Sequence, residues 1–249
     1  VSRMLDEGTT TRTTDQISAS FENIGASFSA SAYRDMFVLD LRVLSQEDYL
    51  PTAVEVFTDV MARPSFPEVA FKRIFEGAQV GQQQRQQSPS AQASILFYQH
   101  LYGEHPYAHP SHGTPDTLKK ITIDDLKQFH QQYFVANNAT IAIVGNINAV
   151  RAQQISEQIS QALATGQAAP ALTKVTPLAK ALHKHLAFPS QQTHITIGQA
   201  TLRRDNPDYE ALYVGNEIFG GGGFGSILMK ELREKRGLTY GVYSSFAPM

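Results

Sequence analysis

Residues 220–245 read GGGGFGSILMKELREKRGLTYGVYSS, and two folds compete for them. Gly220, Gly222 and Gly225 have the spacing of a dinucleotide-binding loop. That fingerprint needs a strand immediately before it and an acidic ribose ligand about twenty residues later. The preceding segment, YEALYVGNEIF, has a helical rather than a strand pattern, and the position for the acid falls at Met249 or just short of it. Nucleotide binding through Gly220–Gly225 is therefore a remote alternative. The glycines read as a connector between two helices, where missing side chains permit a close-packed turn. The second helix then spans 224–236 and stops at Gly237, and TYGVYSSF follows as a strand.

The same order occurs once before. Set 212 positions apart (237 minus 25), FENIGASFSAS from Phe21 superposes on REKRGLTYGVY from Arg233, pairing Glu22 with Glu234, Gly25 with Gly237 and Phe28 with Tyr240. The expectation is a duplicated α+β domain, each copy an antiparallel-rich sheet covered by helices. The residues at 183–212 have counterparts that fall before Val1, and those from about 38 to 165 have none after Met249. The reading is a first domain over 1–165 lacking its N-terminal strands, an Ala-, Pro- and Thr-rich linker over 166–181, and the truncated opening of a second domain over 182–249.

Within the first domain, Thr13 and Gln16 have capping-box spacing, and Ile17, Phe21 and Ile24 follow at helical intervals up to Gly25. Alternation around Phe28–Ala32 and Phe37–Val43 predicts a hairpin turning at Arg34-Asp35. Helices are expected over 48–62, 67–87, 90–102 and 122–134, then a strand over 139–145 and a helix carrying Ile155, Ile159 and Leu163. Beyond the linker, HITIGQATL at 194–202 reads as a strand and 208–219 as a helix.

Composition narrows function by exclusion. A net charge of -2 provides no basic field for nucleic acid, and no apolar run approaches the ~18 residues of a membrane span. Without cysteine, a metal would need His, Asp or Glu. The compartment is unknown from these residues; periplasm and cytoplasm both fit, and we favour the periplasm. His100, His105, His109 and His112 crowd into a short stretch, but Pro106 and Pro110 mark it as a loop rather than a ligand-bearing helix. His183 and His185 read as an exposed strand face and GQQQRQQ as the solvated or chamber-facing side of a helix.

Arg233 and Tyr240 stand where the first copy has Phe21 and Phe28. A guanidinium and a phenol together suit a carbonyl oxygen or a developing oxyanion. An Arg satisfying a helix C-terminus and a half-buried strand Tyr account for the same two residues, and are common in those places.

LREKRGLTYGVYS with the glycine connector, MLDEGTTTRTTDQISASFENIGASFSAS, YGEHPYAHPSHGT and FVANNATIAIVGN together resemble the pitrilysin/insulinase metallopeptidases (inverzincins), in the branch related to mitochondrial processing peptidase. The resemblance covers essentially the whole chain in order. It implies two similar α+β domains and a continuation beyond Met249. Peptide-cleaving members carry H-x-x-E-H with a distal Glu ligand on a later helix. Aligned on MLDEGT, the motif's Glu falls on Ser2 and its second His on Arg3, and the first His would lie upstream of Val1. The distal ligand falls within Val80–Gln84, which holds only Val, Gly and Gln; Glu76 nearby is a lone carboxylate. The resemblance thus implies no metal ligands and no cofactor in this chain, with zinc in a partner.

The family's Arg and Tyr, seven residues apart, match Arg233 and Tyr240, which the resemblance assigns to binding substrate backbone and stabilising the tetrahedral intermediate across the chamber from the zinc. Some bacterial members divide these tasks between homologous subunits. The chain resembles the zinc-less, inactive type, a subunit that binds extended peptides and is inactive without its zinc-bearing partner. The alternative is a catalytically dead scaffold or peptide-binding homologue.

Overall fold

A computed structural model describes residues 1–248. The Cα positions cluster into two compact units, one of Val1–Thr176 with Leu182–Thr196, the other of Pro177–Ala181 with Ile197–Met249.

The first unit is built around one helix buried on two sides. Helix α1 (Thr14–Glu22) opens on the predicted capping box, with Thr13 and Gln16 exchanging side-chain-to-backbone hydrogen bonds. It ends where Gly25 takes a left-handed φ of 62°, a conformation that would strain a residue with a Cβ. The chain returns as β1 (Ser27–Ala32), which pairs antiparallel with β2 (Phe37–Arg42), Phe28 opposite Leu41 and Ala30 opposite Leu39. Helix α2 (Leu50–Ala62) then packs against the hairpin, with Phe57 edge-on to Phe28. Its Val56 and Val60 enter one core with Met4, Leu5, Ile17, Phe21 and Phe66. Its Leu50, Val54, Phe57 and Met61 enter a second with Ile155 and Ile159 of α7 (Ala149–Ala162). Apolar residues on two sides of a helix need cover on both, and the two cores supply it while Thr52 and Glu55 stay exposed.

Helices α3 (Glu68–Gln86) and α4 (Pro89–Tyr102) follow, broken at Ser88, whose hydroxyl accepts from the Ala91 amide. A short helix α5 (Pro115–Leu118) and the amphipathic α6 (Ile123–Tyr133) lead back to the cores through Leu126 and Phe134. The segment after Thr165 carries no helix or strand, yet the Asn137 amide donates to the Gly166 carbonyl and the Ala169 amide to Asn138. Residues chosen as a linker are thus partly strapped to the first unit.

Three expected strands do not form ladders. Over 139–145, Ile141 and Ile143 rest against the second core while Val144 is 98% exposed. The two-residue alternation is real, but alternation orients side chains and cannot supply a hydrogen-bonded neighbour. The segments at 194–202 and 239–246 likewise have no paired strand among the described residues, and Ile195 and Ile197 are exposed. The resulting fold is α+β, helix-rich with a small two-stranded antiparallel sheet.

In the second unit the expected helix over 208–219 is α8 (Tyr209–Asn216), which widens into a π-helical turn over Glu217–Gly221. The helix expected over 224–236 is displaced: Gly223–Gly225 forms a 3-10 turn, and the helix proper covers 227–234, π-wound over Met229–Glu234. A run of four glycines disfavours regular α-geometry, and Ser226 gives the second helix its start by accepting from the Met229 amide. Met229 and Ser226 are buried beneath it.

Candidate functional site

The four glycines form a packed turn rather than a ligand cradle. A Cβ on Gly220 would lie 2.3 Å from Ser244 Oγ and 2.7 Å from its backbone nitrogen. The Gly220 carbonyl accepts from the Ser244 amide, and the Asn216 side chain donates to the Ser244 carbonyl, so backbone meets backbone at Gly220. The Gly222 amide donates to the Glu217 carbonyl, and a Cβ on Gly221 would lie 2.5 Å from the Glu217 carboxylate. A helix rather than a strand precedes the turn, and an acidic side chain lies against it. Neither suits a pyrophosphate.

Arg233 and Tyr240 come together through the turn between them. In the π-wound helix the Lys235 amide donates to Lys230, and the Leu238 amide closes the end on Leu232 at 2.9 Å. Gly237, at φ 59°, donates to the Arg233 carbonyl and reverses the chain, so the residue seven places later returns beside the guanidinium. The Arg233 guanidinium carbon lies 5.6 Å from the Tyr240 ring centre. It lies closer, at 4.6 Å, to the ring of Phe224, a residue that sequence reasoning passed over. A lone ring inside a glycine run has little local cover and was the available signal. Tyr240 is 93% exposed, and Glu231, the acid two residues before Arg233, is paired with Lys235. Among the described residues, neither the N–H groups of Arg233 nor the Tyr240 hydroxyl meets a hydrogen-bond acceptor. The guanidinium lies within cation–π range of both rings while its N–H donors stay available, an arrangement able to grip a carbonyl or carboxylate.

The stretch around Gly25 in the first unit brings two rings together in the same way. Beyond left-handed Gly25, the rings of Phe21 and Phe28 stack at 5.8 Å, and both belong to the core around α2.

Positions aligned with the family's zinc motif lie at a cavity of about 420 Å³ in the first unit, lined by Ser2, Arg3, Asp6, Glu7, Ser29 and Arg73 among others. The residues present do not fit a zinc ion. Ser2 and Arg3 offer no suitable ligand, Arg3 adds positive charge, and Glu7 is paired with Arg73. On α3, Val80 is exposed, and the buried Gln82 amide donates to the carbonyls of His112 and Gly113 at 2.9 and 3.1 Å. Glu76 is exposed on the same helix. Among the described residues no three His, Cys, Asp or Glu gather as a metal site.

The four-histidine stretch is a loop with a 3-10 turn at Pro106–Ala108. His105 is committed at both ring nitrogens: Nδ1 accepts from the Tyr107 amide, and Nε2 lies 2.8 Å from the Thr173 carbonyl. Burial, with Arg85 and Arg34 adding positive charge, holds His112 below the ordinary histidine range. Among the described residues no helix is long and apolar enough to cross a membrane.

Comparison with known proteins gives two family matches, insulinase (peptidase family M16) over residues 1–113 and the peptidase M16 inactive domain over residues 120–249. An uncharacterised zinc protease of Streptomyces coelicolor is 27% identical over 97% of this chain and 53% of its own length. The uncharacterised zinc protease YmxG of Bacillus subtilis is 25% identical over 97% of the chain and 58% of its own. The chain therefore spans just over half the length of these relatives. A crystal structure of a peptidase M16 inactive domain from Pseudomonas fluorescens superposes with a TM-score of 0.93 and 40% identity, over the whole of this chain and 60% of that one. Pitrilysin superposes over 70% of the chain and 19% of its own with a TM-score of 0.57 at 20% identity, a likeness of fold alone.

Proposed function

The chain belongs to peptidase family M16, and from that premise we propose that it is the zinc-less, substrate-binding subunit of a two-component metallopeptidase. The observation that carries this reading is the pairing of Arg233 and Tyr240 on one surface with their donors unspent.

Peptide hydrolysis places negative charge on the scissile carbonyl oxygen as the carbon becomes tetrahedral. Donors already aimed at that oxygen stabilise the transition state more than the ground state, because they need not reorganise as charge develops. The Arg233 fork offers paired N–H groups, and the Tyr240 hydroxyl a third donor from a neighbouring direction. A homologous partner would contribute zinc, which polarises the same carbonyl and supplies the attacking water. The peptide would lie extended, which favours unfolded or short substrates over folded proteins.

The test is hydrolysis of a quenched fluorescent peptide by this protein assembled with a zinc-bearing homologue. Arg233→Ala and Tyr240→Phe each lower kcat/KM, by roughly 10²–10³ for the loss of one oxyanion donor. Unchanged kcat/KM in the double variant would sink the proposal. A complex that still binds peptide but hydrolyses none in any combination would assign the chain to the scaffold role instead.

A further inference from the structure

Phe224 sits in the middle of the glycine turn, between Gly223 and Gly225, and the residue is 66% exposed. An exposed ring on a glycine-rich turn gains little from the hydrophobic effect and adds no core packing. Its ring faces Arg233, whose guanidinium carbon lies 4.6 Å from the ring centre, an ångström nearer than to Tyr240 at 5.6 Å. Both distances fall within the range in which a ring's negative face attracts a cation. We propose that Phe224 is a positioning residue for Arg233, fixing the plane of the guanidinium so that its N–H edge faces the substrate carbonyl. The inference rests on the role proposed for Arg233.

The physical case is one of freedom removed. Arginine has several rotatable bonds and loses rotamer entropy when held. A side chain that must wait in one pose for a developing charge works best when that loss is met before substrate arrives. No carboxylate pairs with Arg233 among the described residues, and a carboxylate would occupy the donors the reaction needs. Aromatic faces hold the cation without using any N–H. The turn supports this: Gly223, at φ 63°, sets the bend that presents residue 224 over the following helix, and Ser226 anchors that helix by accepting from the Met229 amide.

The experiment uses the full chain assembled with its zinc-bearing homologue, comparing Phe224→Ala, Phe224→Leu and Phe224→Trp with Arg233→Ala. Losing an exposed cation–π contact of about 0.5–1 kcal/mol lowers the rate about 2- to 5-fold. We expect that loss in kcat rather than KM for Ala and Leu, with Trp restoring the rate to within about twofold, since Trp presents the better ring face. A merely structural residue would be rescued by Leu at least as well. A second measurement does not depend on activity: in the isolated chain the Arg233 Nε–H proton carries an upfield ring-current shift that Phe224→Leu removes and Phe224→Trp keeps. If Arg233→Ala cripples the complex while all three Phe224 variants retain full kcat, the positioning role is overturned and the Arg233 reading stands. If Arg233→Ala itself has no effect, that reading falls and takes the role of Phe224 with it. An Nε–H shift unchanged in Phe224→Leu overturns the contact directly.

Discussion

Four donors converge on the carboxylate of Asp59, whose side chain is fully buried in α2: Thr9 Oγ1 at 2.6 Å, Thr11 Oγ1 at 2.7 Å, Arg12 at 2.8 Å and Arg63 Nε at 2.7 Å. Burial alone would raise its pKa, but the hydrogen bonds from Thr9, Thr11, Arg12 and Arg63 outweigh it and hold the group down to about 2. The unfolded chain titrates near 3.8, so the folded form binds the proton more weakly. The stabilisation is complete above that value and is lost as pH falls through the interval from 3.8 to about 2. A shift of this size corresponds to about 2 kcal/mol. Asp59→Asn removes the charge, destabilises the fold by about 1–3 kcal/mol at neutral pH, and flattens the acid limb of a urea-denaturation series. An acid limb as steep in the variant as in the parent would show that the network has no such role. His130 adds an earlier step. Burial lowers its pKa against the opposing hydrogen bond to the Met61 carbonyl, so stability already declines as pH drops below 6.5. The convergence was not legible in the sequence, because Thr9, Thr11 and Arg12 lie about fifty residues from Asp59 and local spacing pairs it with Arg63 alone. The proximity of Arg233 and Tyr240 follows from a local seven-residue spacing across Gly237, whereas the role proposed for them came from the family resemblance.

What could be read in the elements follows the same division between local and distant. Capping boxes, the Gly25 and Gly237 turns and the apolar spacing of α1, α2, α6 and α7 depend on neighbours within a few residues, and these elements formed. Strands at 139–145, 194–202 and 239–246 depend on a partner that alternation does not encode, and they did not. Phe224 escaped for a related reason, since its partner lies nine residues on across a turn whose geometry four glycines leave open. The 139–145 segment lends itself to a direct measurement. Its Ile141 and Ile143 rest on the second core, whereas Val144 stands in solvent. Ile143→Ala is expected to cost about 1–3 kcal/mol, the lower part of the core range because the site is only partly buried, and Val144→Lys to stay within about 0.5 kcal/mol. Equal losses at both positions in chemical denaturation would mean that the outer face is covered.

For the whole molecule the question is where the metal of the proposed complex resides. A left-handed glycine turn serves two ends at Gly25 and Gly237: Phe21 and Phe28 stack against the core, while the Tyr240 ring is exposed beside Arg233 and the donors of both stay unspent. At the positions aligned with the zinc motif, Arg3 contributes a fixed cation to the cavity lining, and Glu7 is already paired with Arg73. A site of that composition binds zinc poorly, since ligation requires deprotonated or neutral donors and the fixed charge repels the ion. Chelator treatment therefore separates the subunits by their chemistry. This protein, incubated with a strong chelator and dialysed before mixing, is expected to yield a complex of undiminished peptidase activity. The zinc-bearing homologue treated in the same way is expected to yield an inactive one, restored by added zinc but not by a fresh portion of this protein. Metal analysis of the treated and untreated chain should find far less than one equivalent in either. A stoichiometric zinc content here, or activity lost when only this subunit is stripped, would move the metal into this chain and end the division of labour proposed for Arg233 and Tyr240.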